Sequence, residues 1–234
     1  MDDAQRIEQL AAALRVARDP ALDPRNRGEW VPHVQRWQAE RLASSFADLS
    51  EDPRFSRATR FFLQDLYGEQ DVAWRDRDVV RILPTMRRWL PNKLLGVVAR
   101  ALELDLLTHE LDLALATSLA RQYRGTPRID VDRYAKAYIE SGTREQRERQ
   151  LLLLLAVGTD LDRLAHKPVL DTLLKLARAP AKAAGLARMQ RFLETGFSAC
   201  KAMGRDGNKF LAIIGQRERA ALEKLFAGDP DPFA

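Results

Sequence analysis

Apolar residues recur along most of this chain three or four positions apart, the spacing of a helix, and almost nowhere in the alternation of a strand. Ile7, Leu10 and Leu14 fall at i, i+3 and i+7 and predict a first amphipathic helix. Prolines 20, 24 and 32 then mark an irregular connection. Trp37, Leu42, Phe46 and Leu49 predict a second helix that ends near "SEDP". Asp52-Pro53 suits the start of a third, an acidic cap followed by a residue tolerated in the first turn. That helix carries "RFFLQDLYG" and stops at Gly68.

Asp71 suits the cap of a further helix that Pro84 should kink or split. "LPNKLLGVVARALELDLL" and "THELDLALATSLARQY" read as two helices joined at Thr108, and "GTP" at 125–127 as a break. "DVDRYAKAYIES" is a short helix before Gly142. Thr143 and Gln146 form a capping-box pattern ahead of the leucine run 151–155. Three more helices follow, the first expected to end at Pro180, and "DPDPFA" reads as a frayed tail. The expectation is an all-α protein, a single bundle of roughly nine to eleven helices. Residues 1–234 form one helical domain: an N-terminal helix and connection (1–29), the motif-bearing helices (30–124), a basic helical part (125–228) and the tail (229–234).

Charge changes this picture in one respect. Residues 1–140 carry 22 basic and 22 acidic side chains, whereas residues 141–228 carry 16 against 9, so the net +5 belongs to the last third. Such a surplus bears on association with anionic partners. Cys200 is the single cysteine, which favours a reducing compartment. "MDDAQRIEQL" has no signal-peptide character, and the apolar run 151–157 is too short to span a bilayer. We expect a cytoplasmic protein with no membrane contact.

Three groups of residues are candidates for chemistry. Each histidine has an acid four positions earlier, Glu29–His33, Asp105–His109 and Asp162–His166, which on a helix puts both on one face. Glu110 and Asp112 add carboxylates beside His109. The ligand spacings of metal centres are missing, HExxH and paired ExxH alike, so we expect no metal and no cofactor. A haem on His109 or His166 would rest on a lone helical histidine, which is weak evidence. In the aromatic stretch, Phe61, Phe62, Leu63 and Leu66 read as core, leaving Asp65 and Tyr67 as the side chains with functional potential. Finally, no acid lies between Asp171 and Glu194, while Lys175, Arg178 and Lys182 do, a candidate anion site. Phosphate-loop, dinucleotide-binding and nucleophile-elbow motifs are absent, and Cys200 sits among Phe197 and Met203 as an inert thiol would.

"RFFLQDLYG", with the following "RDRD" and "LPTMRRWLP", resembles the bacterial FFLEELY-motif proteins. Here Gln64 and Asp65 stand in place of the two glutamates, so a carboxylate pair is not preserved. "GFSACKAM" and "FLAIIGQRERAAL" are similar to that family's ending, and the resemblance spans about Trp37 to Phe226. It implies no substrate, cofactor or catalytic residue, because the family is uncharacterised. A fainter likeness links "RFFLQDLYG" with "RFLETGFSA" at 191–199, which we read as chance.

Function is not legible from these residues. The leading reading is a cytoplasmic helical binding or adaptor module with a protein partner or self-association, and not an enzyme. A second is a small-molecule, metal or haem-binding enzyme with a pocket near Asp65, Tyr67 and His109. A third is an anion or nucleic-acid binder acting through Lys175, Arg178 and Lys182, although no zinc-finger spacing or RNA-binding motif accompanies the charge.

Overall fold

A computed structural model describes residues 2–66, 78, 81, 92–123 and 125–234, with the side chains of 65, 66, 92 and 93 outside the description. Among the described residues there are ten helices and no strands, the all-α bundle expected from the periodicity. They are α1 (Asp3–Arg18), α2 (Trp30–Ser45), α3 (Ala47–Glu51), α4 (Ser56–Arg60), α5 (Asn92–Gln122), α6 (Val131–Ser141), α7 (Arg144–Ala165), α8 (Pro168–Ala183), α9 (Ala187–Ala202) and α10 (Gly207–Ala227). No described helix is long and apolar enough to cross a membrane.

α5 is the spine against which α1, α2, α6 and α7 pack. Its 31 residues run through Thr108, which is a surface side chain meeting another helix and not a cap: its hydroxyl accepts from Gln150 Nε2 on α7 at 2.9 Å. Caps do set other boundaries. Asp2 and Gln5 cap α1 reciprocally, and Thr143 and Gln146 do the same for α7, at 3.2 and 3.0 Å. The second predicted helix is broken at Phe46, where φ −121° and ψ 23° separate α2 from α3 and drive the Phe46 ring into the core. Asp52 does not cap a long helix; its carboxylate accepts from the Arg54 backbone and guanidinium instead.

Apolar contacts form three clusters. Ile7, Ala11 and Leu14 of α1 pack on Leu95, Ala99 and Leu102 of α5. Trp30, Val34, Leu115, Leu119, Tyr134 and Leu225 join α2, α5, α6 and α10. Leu42, Phe46, Phe55, Phe210 and Ile214 form the third. Residues Phe61–Leu66, which follow α4, are a π-helical turn. Phe61 and Phe62 are buried there, as their pattern predicted. The Phe61 ring lies 5.4 Å from that of Phe192, and the Phe61 Cζ atom comes within 2.6 Å of where a Cβ would stand on Gly196. The two similar segments therefore pack against each other. The predicted cap at Asp71, the break at Pro84 and the stop at Gly68 lie outside the described residues.

Candidate interaction surface

α8 begins with Pro168 in its first turn and Asp171 at its positive end, both suited to a helix N-terminus. It does not stop at Pro180 but continues to Ala183. A proline this close to the end removes only the donor for the Leu176 carbonyl. Leu176 itself is 69% exposed, at the solvent side of the helix. Gly185, at φ +71°, then turns the chain into α9.

This continuation aligns Asp171, Lys175, Arg178 and Lys182 on one face, at i, i+4, i+7 and i+11. Of the two acids bounding the acid-free stretch, Glu194 folds back onto it, while Asp171 is engaged by a lysine beyond it. Arg178 Nε and Nη2 donate to Glu194 of α9 at 2.7 and 3.2 Å, and Lys201 of α9 pairs with Asp171. Glu194 also accepts from Gln190, and these donors hold its carboxyl below the usual range, Arg178 foremost. Lys175 and Lys182 make no ion pair among the described residues.

Leu170 and Ala181 bury the inner side of α8. On its outer side Val169, Leu173, Leu176 and Pro180 follow at i, i+4, i+7 and i+11. Val169 is 60% and Leu173 37% exposed, forming with Leu176 a continuous apolar stripe open to solvent. Lys175 borders that stripe on the side of the charged face.

A second concentration of polar groups is buried. Asp112 on α5, Arg147 on α7 and Gln38 on α2 meet between Tyr134 and Tyr138 of α6. Burial pushes the Asp112 carboxyl up to about 6, against the opposing pull of Arg147 and a hydrogen bond from Gln38. The Arg147 guanidinium lies 4.0 Å from the Tyr138 ring centroid and donates to Ser141 Oγ at 3.3 Å. Beside it, Arg41 of α2 is held by both carboxylate oxygens of Glu218 on α10. Sequence reading assigned Asp112 to the His109 group. The available signal was its helical face, since Leu115 and Leu119, three and seven residues on, are wholly buried.

The histidines and their acidic neighbours take separate partners. His109 Nε2 lies 3.1 Å from the Ala17 carbonyl, and burial, foremost, lowers its pKa. Asp105 pairs with Arg18 at 2.7 Å, while Asp162 stands 3.6 Å from His166. No group of three metal-binding side chains occurs among the described residues. Tyr67 and the side chain of Asp65 lie outside the described residues. Burial pushes the Cys200 thiol up to about 11, which keeps it protonated and unreactive at neutral pH.

Fold and surface together define a class: an all-helical bundle from which one amphipathic helix turns a second apolar face outward. Residues 3–232 match the model of a domain of unknown function (DUF8198), and the chain belongs to that family. No curated protein and no solved structure matches it.

Proposed function

We propose that the protein is a cytoplasmic helical binding module that docks an acidic amphipathic helix of a partner protein along the outer face of α8. The carrying observation is the exposed stripe of Val169, Leu173 and Leu176. Contiguous exposed apolar surface on a soluble fold marks interaction, and spacing at i, i+4 and i+7 matches the anchors of helix-on-helix recognition. Charge selects the partner's sign. Lys175, which borders the stripe, makes no ion pair among the described residues, and it lies in a third of the chain that carries 16 basic against 9 acidic residues. Engagement of Arg178 by Glu194 favours a partner held mainly by apolar contact over a phosphate-dense polyanion. The motif at residues 61–67 further ties the chain, by resemblance, to the bacterial FFLEELY-motif proteins.

The test places an environment-sensitive fluorophore at position 172 of a Thr172→Cys, Cys200→Ala variant, next to the stripe. A designed helical peptide with a leucine face and glutamate flanks should shift its emission saturably. The same peptide with lysine flanks should not. Lys175→Glu should weaken the acidic peptide by about fivefold, the loss of one charge contact beside the stripe. Response only to anionic phospholipid vesicles or duplex DNA, or to neither peptide, would contradict the proposal.

A further inference from the structure

The segment after α10 is not frayed. Gly228, at φ +72°, ends the helix and turns the chain back along it. Lys224 Nζ donates to the Ala234 carbonyl at 3.0 Å, and the Asp231 N–H donates to Asp229 Oδ1 at 2.8 Å. Pro232 is fully buried. Phe233 sets its ring edgewise against Trp37, at 5.8 Å and 63°, and against Tyr134, at 6.0 Å and 60°. The Arg41 guanidinium stands 5.2 Å from the Phe233 ring centroid.

The cage that receives Phe233 is built without it. Trp37 and Tyr134 stack on each other at 4.0 Å. Glu218 fixes Arg41, and Gln38 reaches the Tyr134 hydroxyl at 3.4 Å. Departure of the segment would therefore leave the cage standing, with an aromatic face and a cation ready for another ring. A cleft of about 290 Å³ remains open beside Phe233, lined also by Glu40, Ser44, Ser45 and Val131. The segment follows a left-handed glycine, and Pro230 and Asp231 are exposed.

We infer that this cage is a peptide-binding site separate from the α8 face, that residues 229–234 are its resident ligand, and that a Pro-Phe segment of another chain replaces them. Tethering sets the threshold. A short linker gives the resident segment an effective concentration of the order of mM, so only a segment of better intrinsic affinity displaces it.

The experiment uses the full chain carrying Phe233→Ala and a fluorescein-labelled peptide of residues 228–234, followed by anisotropy. The peptide should bind the variant at least about tenfold more tightly than the unaltered chain, where the tethered segment competes. The same peptide with its phenylalanine replaced by alanine should not bind. A folded variant that ignores the peptide, or binds both peptides equally, would overturn the inference. Should Phe233→Ala not fold, 4-fluorophenylalanine at position 233 of the otherwise unaltered chain gives the answer by ¹⁹F resonance. Excess unlabelled peptide should shift that signal towards a solvent-exposed position, and an unmoved signal would overturn the inference.

Discussion

Asp112 shows what a single buried carboxyl does to this fold. Its folded pKa of about 6 lies above the ordinary value near 3.8, so the protonated form is the one the interior favours. The stability it contributes is fully present below about pH 4 and is lost as pH rises through about 6, roughly 3 kcal/mol at full ionisation. Asp112→Asn keeps an acceptor for Gln38 and removes the charge. Urea unfolding at pH 4.5 and 7.5 should show the variant gaining on the parent at the higher pH by about 1–3 kcal/mol. A pH-independent difference would mean that Asp112 stays ionised throughout. The residue was partly legible: its helical face pointed inward, yet its neighbour Arg147 comes from 35 positions along the chain, a contact no local spacing announces. The pairing of Arg178 with Glu194 was hidden for the same reason, since the acid that follows the basic stretch meets it only once α8 and α9 fold together.

Among the elements, local rules held where a helix end depends on its own residues. The Thr143 capping box and the Asp130 cap of α6 are of this kind. They failed where tertiary packing overrode a local signal. Thr108 has a cap's chemistry but sits inside α5, whose faces are covered by α1, α6 and α7. Pro180 has a breaker's chemistry but lies so near the end of α8 that one lost hydrogen bond does not stop it. Packing of the π-helical turn on α9 gives a test at this scale. A methyl group on Gly196 would meet the buried Phe61 ring at 2.6–3.2 Å, so Gly196→Ala should destabilise the fold by about 1–3 kcal/mol although alanine favours helix. Chemical denaturation measures this directly, and a stabilised variant would show that the ring yields freely.

At the level of the whole molecule, periodicity alone was enough for the all-α class, because a helix must bury one stripe and this chain repeats such stripes nearly end to end. Which helix lies on which was not readable, since α2 meets α10 and α6 only through residues far apart in sequence. The basic surplus of the last third was readable, and so were its residues, but the exposed stripe was not. Val169, Leu173 and Leu176 look like ordinary core positions until α8 is seen to bury its other side. Val169→Asp with Leu176→Asp, the two most exposed positions of the stripe, should leave stability within about 0.5 kcal/mol of the parent, as surface changes do. The decisive measurement is the affinity of this folded double variant for the acidic helical peptide. Affinity should fall at least about tenfold, as when buried apolar anchors are removed from a contact; affinity equal to that of the unaltered chain would rule out docking on the stripe.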